Sequence, residues 1–241
     1  MVETAQTCLF VPNYPSGREG WRPLIARAPA GWVTRLVELP DLDAESGSVV
    51  SLDEQERTIL DAVQRSSYPV TLVGHSLSSY LVARVCSCRP AGLARAVMLS
   101  GFARLPTAIV EQHLALATAL EQGAIRGVEL RQLVHDLVIA PDSATAEDSL
   151  LIESMFLAPE ASALARFIRR GTTASGSAGV RAYDTPSVVI HGTEDRATPF
   201  SLGEELASLG SCSRLVPLDG TGHLSQIFQA ERVAHLVYES E

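Results

Sequence analysis

The sequence has little of what marks several protein classes. Aromatic residues make up 5% of its 241 residues, cysteines number four, and no apolar run approaches the roughly 20 residues that a membrane-spanning helix needs. A net charge of -9 argues against nucleic acid or an anionic membrane as a partner, since both are polyanionic. The one basic cluster, Arg166, Arg169 and Arg170, has helical spacing and is typical of a solvated helix face.

Signals for secretion, disulfides and a metal centre are also missing. The N-terminal stretch MVETAQTCLFVPNYP has no charged leader followed by a long apolar run, so we expect no signal peptide. The four cysteines, Cys8, Cys86, Cys88 and Cys212, are scattered, and the pair in the run Cys-Ser-Cys has neither metal-site spacing nor a His partner nearby. We therefore predict a cytoplasmic protein with reduced thiols, no metal and no cofactor, acting on a small molecule. The oligomeric state stays open.

Alternating segments of two kinds are present instead. Short apolar, β-branched runs alternate with longer runs of helical periodicity, which predicts a parallel sheet with crossover helices, the α/β class. The predicted strands are 7–11, 33–39, 70–73, 94–99, 187–190 and 213–217, and the predicted helices are 21–27, 52–66, 77–88, 201–209 and 225–238.

Residues 102–184 break this alternation, because four amphipathic helical patterns follow one another there without a convincing strand. We predict a helical cap inserted at 102–184 into a core formed by 1–101 and 185–241. The small, polar run GTTASGSAG near the end of the insertion predicts a flexible return to the sheet.

The segment TLVGHSLSSYL predicts a strand, a tight turn and a helix, with Ser76 in the turn. Such a turn exposes a hydroxyl and aims backbone N–H groups at a developing oxyanion, which is what a nucleophilic serine requires. Gly74 is small where neighbouring backbone comes close, but Ser78 replaces the usual second glycine. We expect Ser78 either to fit a looser turn or to point its hydroxyl into the site. As an alternative, Ser76 is simply a helix N-cap.

An acid and a base follow in the order that a serine nucleophile on this topology needs. Asp195 follows the strand in SVVIHGTEDRATP, and His223 follows the strand in SRLVPLDGTGHLSQI. Because the carboxyl ends of parallel strands share one edge, all three groups are expected together there. Taken singly, Asp195 could be a turn residue and His223 a helix-entry residue. The other histidines, His75, His113, His135, His191 and His235, have no such context and are interpreted as structural or exposed.

The chain resembles α/β-hydrolases of the compact kind with a four-helix cap. The resemblance rests on VGHSLSS, IHGTEDRATP, GTGHLSQIFQAERVAHLV and LFVPNYPSGREGWRPLI, and it covers nearly the whole chain. The chain is similar to small carboxylesterases such as the pimeloyl-carrier-protein methyl esterases. The resemblance implies a mostly parallel sheet of about six strands and a triad of Ser76, Asp195 and His223.

A second departure from the family lies after the first strand, where Pro12 and Asn13 replace the usual His-Gly pair. By position, the resemblance implies that the backbone N–H groups of Tyr14 and Leu77 form the oxyanion hole. We expect Asn13, Tyr14 and His75 to contact substrate. As an alternative, Tyr14 is a surface aromatic that covers the loop.

Three functions are compatible with these residues. The first is hydrolysis of an ester or thioester of a small, largely apolar substrate through an acyl-enzyme on Ser76. A thioesterase acting on a carrier protein is a variant of this, and it requires a basic patch that the sequence does not reveal. The second is a non-hydrolytic lyase or rearrangement enzyme of specialised metabolism with His223 as base. The third is a ligand receptor on the same scaffold, since fold alone does not fix function.

Overall fold

Residues 6–39, 51–67, 69–138, 145–156, 161–173 and 179–239 are described by a computed structural model of the chain. Six strands form one parallel sheet in the order β2-β1-β3-β4-β5-β6. They are β1 Gln6–Phe10, β2 Trp32–Leu36, β3 Val70–His75, β4 Leu93–Leu99, β5 Ser187–Gly192 and β6 Ser213–Leu218. The predicted fold class and strand number are confirmed.

Helices connect the strands and cover the sheet. They are α1 Arg22–Ile25, α2 Leu52–Gln64, α3 Leu77–Cys88, α4 Thr107–Glu121, α5 Val128–Val138, α6 Ala146–Phe156, α7 Ala161–Thr173, α8 Phe200–Ser208, α9 Ser225–Phe228 and α10 Ala230–Tyr238. Within the described ranges, no helix has the length and apolarity required to cross a membrane.

Alternation along the central strands builds a core on each face of the sheet. On β3, Leu72 belongs to the cluster that packs against α2, α3 and α8, whereas Val73 belongs to the cluster that packs against α1 and α10. β3 and β5 are buried along their whole length, as expected for parallel strands covered on both faces. Buried strands of this kind hold the loops at their carboxyl ends in fixed positions.

Four helices, α4 to α7, lie between β4 and β5. α4 and α7 pack through a cluster that contains Ala117 and Leu164, and Arg169 on α7 pairs with Glu121 on α4 at 2.7 Å. Arg169 keeps 39% of its side chain exposed in this pair, so the solvated face expected for it also carries an ion pair between two helices. α5 and α6 instead pack against the start of the C-terminal helical region. The division into core and cap at 102 and 184 stays a prediction.

Three predicted boundaries were wrong. The helix predicted at 21–27 is a 3-10 turn, Glu19–Trp21, followed by the single turn of α1. The helix predicted at 225–238 breaks at Gln229, whose backbone leaves the helical region at φ -124° and ψ 36°. The run GTTASGSAG begins inside α7, which continues to Thr173, and residues 174–178 lie outside the described residues.

Candidate active site

Ser76 occupies the turn between β3 and α3 in a backbone conformation that L-residues rarely adopt. Its φ is 56° and its ψ is -121°, and its N–H donates to the carbonyl of Leu99 at 2.9 Å. The turn depends on Gly74, because a Cβ there would lie 2.5 Å from the carbonyl oxygen of Ser78. The Ser76 hydroxyl makes no capping bond to α3, so the N-cap alternative does not explain this serine.

Ser78 contradicts one of the two expectations for it, that its hydroxyl would point into the site. Its side chain is buried, and its hydroxyl accepts from the His75 N–H at 2.8 Å and lies 2.9 Å from the His75 carbonyl, to which it donates. The hydroxyl is therefore used inside the turn and does not point into the site. This hydroxyl gives the buried His75 N–H its acceptor and adds a donor to the His75 carbonyl.

Asn13 contacts the same carbonyl from the other side. It is buried at the carboxyl end of β1, and its Nδ2 donates to the His75 carbonyl at 3.2 Å. The Asn13 carbonyl in turn accepts from the Gly17 N–H at 2.7 Å. The loop that replaces the His-Gly pair is thus bonded to the turn that carries Ser76.

Asp195 is fully surrounded by donors. Its Oδ1 accepts from the N–H groups of Ala197 and Thr198 at 3.0 and 2.8 Å, and its Oδ2 lies 2.8 Å from Nδ1 of His223. Burial by itself would raise the pKa of the Asp195 carboxyl, but the imidazoles of His223 and His191 hold that pKa well below its usual range. The exposed Glu194 beside it has no such surroundings.

His223 is held through both its ring and its backbone. The Nδ1 contact with Asp195 places the ring proton on Nδ1 and leaves Nε2 as the basic nitrogen. The His223 carbonyl accepts from Nε2 of His75 at 2.9 Å and from the Ser100 hydroxyl at 3.0 Å. The loop after β5, through Asp195, and the ends of β3 and β4, through His75 and Ser100, therefore fix His223.

His75 is a buried neutral imidazole. Its Nε2 carries the proton given to the His223 carbonyl, and its Nδ1 is buried without a hydrogen-bond partner among the described residues. Burial, followed by the charge on His223, lowers the pKa of His75 to about 3. Its ring lies against that of His223, with 4.6 Å between centroids. This placement suits positioning of His223, in contrast to the substrate contact we expected.

Two further groups around Asp195 were missed by the sequence analysis. The Thr198 hydroxyl lies 2.9 Å from Asp195 Oδ2 and 3.0 Å from the Ser100 carbonyl, and it donates to one of them. The fully buried His191 donates from Nε2 to the Thr198 carbonyl at 2.7 Å and lies 3.4 Å from Asp195 Oδ2. Thr198 follows the aspartate by three residues, a spacing typical of local side-chain capping that could have signalled it.

A cavity of about 150 Å³ lies between these residues and helices α4 to α7, which we call the cap helices. Ser76, Thr198 and His223 contribute its polar floor, while α4 to α7 supply Leu, Val, Ile and Phe side chains. Leu77, in the first turn of α3, also lines it, and first-turn N–H groups have no acceptor within their own helix. Tyr14 packs against Phe167 of α7 with 5.5 Å between ring centroids. The arrangement suits a nucleophile and base acting on a small apolar molecule.

Comparison with known proteins places this chain in a family. The model of the alpha/beta hydrolase family matches residues 8–236. Among proteins with curated functions, none matches the sequence significantly. The match to the family model covers most of the chain, and it shows that the chain belongs to the alpha/beta hydrolase family.

Solved structures share the fold at low sequence identity. A putative non-heme bromoperoxidase, BpoC, from Mycobacterium tuberculosis is 16% identical with a TM-score of 0.80, covering 97% of this chain and 90% of that one. The enol-lactonase from Burkholderia xenovorans is 17% identical with a TM-score of 0.78, covering 97% and 90%. A thermophilic esterase from Thermogutta terrifontis is 16% identical with a TM-score of 0.75, covering 98% and 89%. These likenesses show the fold, and the family match makes this chain an enzyme of the α/β-hydrolase fold.

Proposed function

We propose that this member of the alpha/beta hydrolase family is a serine hydrolase that cleaves an ester or thioester through an acyl-enzyme on Ser76. The observation that carries the proposal is the buried 2.8 Å contact between His223 Nδ1 and Asp195 Oδ2, which leaves Nε2 basic in a cavity that Ser76 also lines. A strained turn presents the serine, and strain of this kind clusters at functional sites.

Acylation begins when the Ser76 hydroxyl oxygen attacks the substrate carbonyl while Nε2 of His223 takes its proton. The N–H groups of Tyr14 and Leu77 are the proposed donors to the resulting oxyanion. Collapse of the tetrahedral intermediate breaks the bond to the alcohol or thiol, which leaves with the proton from Nε2. Water then attacks the acyl-serine, gives its proton to Nε2, and releases the acid as Ser76 recovers that proton.

Asp195 supports both half-reactions as a carboxylate. Its lowered pKa keeps it ionised when His223 becomes an imidazolium, and its bond to Nδ1 fixes the tautomer in which Nε2 is free. The Thr198 hydroxyl and the His191 ring hold the carboxylate in place. A carboxylate oriented in this way stabilises the imidazolium without taking its proton.

A fluorophosphonate probe tests this assignment directly, because it phosphonylates only an activated serine. Intact mass is expected to show one adduct on the wild type and on Ser208→Ala, whose serine is exposed on α8, and none on Ser76→Ala. His223→Ala should label far more slowly. A folded wild type that resists labelling would contradict the acyl-enzyme mechanism and favour the lyase or receptor function. A small-molecule substrate, cytoplasmic location and the absence of nucleic acid and membrane partners stay predictions.

A further inference from the structure

Among its described residues, the cavity wall that helices α4 to α7 form is apolar except for one imidazole. Among the described residues that line the cavity, His113 on α4 is the one polar side chain from the cap helices. It shares its wall with Leu116 and Leu120, three and seven residues further along the same helix. An apolar residue at this position would continue that stripe. The histidine instead places a hydrogen-bonding group there.

His113 has no hydrogen-bond partner among the residues that the structure describes. The side chain is half-buried, and within the described part of the chain neither of its ring nitrogens makes a hydrogen bond. Burial, followed by the charge on His223, lowers the pKa of His113, which favours the neutral ring. A neutral imidazole offers one donor and one acceptor to a bound molecule.

The charges of the residues that line the cavity limit the class of molecule that can bind there. Within the described lining there is no Lys or Arg, so a free carboxylate on the substrate would find no cation and would be desolvated at a cost. The volume of about 150 Å³ is below the range of roughly 300–1,000 Å³ that holds drug-sized ligands. A short, uncharged acyl group fits these limits.

We propose that His113 is a specificity residue that hydrogen-bonds an uncharged oxygen, a ketone or a hydroxyl, on the acyl chain of the substrate. The proposal rests on the proposed function and takes the acyl group attached to Ser76 as the part of the substrate that contacts helices α4 to α7. An oxygen-bearing acyl chain gives the His113 ring a hydrogen-bond partner, whereas a plain alkyl chain lying against the ring covers it and offers none. The site therefore discriminates between substrates by that difference.

Matched pairs of 4-nitrophenyl esters test this. The 4-oxopentanoate and 5-oxohexanoate esters are compared with pentanoate and hexanoate, and the readout is the ratio of kcat/KM for oxo over plain ester. In the wild type we expect at least one pair to favour the oxo ester, and in His113→Leu that ratio should fall about fivefold to tenfold. His113→Gln, which keeps a donor and an acceptor, should retain part of the preference.

The control is His135→Leu, which removes an exposed imidazole from the neighbouring helix α5 and should leave the ratio at the wild-type value. An unchanged ratio in His113→Leu, or an equal fall in His135→Leu, would overturn the role of His113 while leaving ester hydrolysis intact. A wild type that hydrolyses none of the four esters by way of Ser76 would overturn the hydrolase proposal itself, and the role of His113 with it.

Discussion

Two residues that depart from the family pattern, Asn13 and Ser78, converge on the backbone of one residue, His75. The His75 carbonyl receives both side chains, at 3.2 and 2.9 Å, and the His75 N–H is bonded only to the Ser78 hydroxyl among the contacts described for it. The departures therefore act together. Each replaces a glycine with a group that anchors the turn beneath Ser76.

This shared acceptor predicts a coupled loss of stability. Ser78→Ala should lower the free energy of unfolding by about 1–3 kcal/mol, because it leaves the buried His75 N–H unpaired. Asn13→Ala should cost less, since the carbonyl keeps Ser78. The double variant should exceed the sum of the two losses by about 0.5 kcal/mol or more, measured by urea unfolding of all four proteins. Strict additivity would show that the two contacts are independent.

Replacing Asp195 is expected to lower the rate of catalysis with little change in substrate binding. Asp195→Asn should lower kcat by about 10⁴-fold, because an amide no longer enforces the Nδ1–H tautomer of His223. The matched control is Glu194→Gln, which neutralises the exposed neighbouring carboxylate and should keep full activity. Steady-state kinetics with a 4-nitrophenyl ester measure both. Equal losses in the two variants would contradict the assignment of Asp195.

At the scale of the elements, the His75 ring joins the turn after β3 to the loop after β6. The stability that this joint contributes depends on pH. The pKa of His75 lies at about 3 in the folded protein, below its ordinary value of 6.5. Between these values the unfolded chain binds the proton and the folded chain does not. Stability is therefore fully present above about pH 6.5 and is lost progressively as the pH falls.

His75→Gln tests that joint, because an amide can donate to the same carbonyl but does not titrate. Between pH 6.5 and 4.5, the fall in the free energy of unfolding should become shallower by up to about 1.4 kcal/mol per pH unit. Urea unfolding across this range measures the slope. His235→Gln, which alters an exposed histidine on α10, serves as the control and should keep the wild-type slope. An unaltered slope in His75→Gln would refute the linkage.

The side chains of the cap helices are expected to determine which acyl chains fit the cavity. Phe167 on α7 lines the cavity and packs against Tyr14, so Phe167→Ala should enlarge the space above Ser76. We expect the ratio of kcat/KM for 4-nitrophenyl octanoate over butyrate to rise at least about tenfold. Leu150→Ala, which trims an exposed side chain on α6, should leave the ratio unchanged. A rise in both variants would indicate general loosening of the cap helices.

At the scale of the whole molecule, the features that could be predicted from the sequence are those that depend on neighbouring residues and on the order of the strands. Ser76, Asp195 and His223 each follow an apolar strand, and parallel strands end at one edge, so their shared location follows from order alone. The contacts between distant segments could not be predicted in this way. His75 reaches the carbonyl of His223 from the end of another strand, and His113 reaches the cavity only because α4 packs over it. In the sequence both look like ordinary core positions.

The central claim is that Ser76 carries the acyl group, and product partitioning tests it most directly. Several butyrate esters with different leaving groups are hydrolysed in the presence of methanol, and the ratio of methyl butyrate to butyric acid is measured. A common acyl-enzyme predicts one ratio for every leaving group, and Ser76→Ala should form neither product above background. A ratio that varies with the leaving group, or activity that survives Ser76→Ala, would contradict the account.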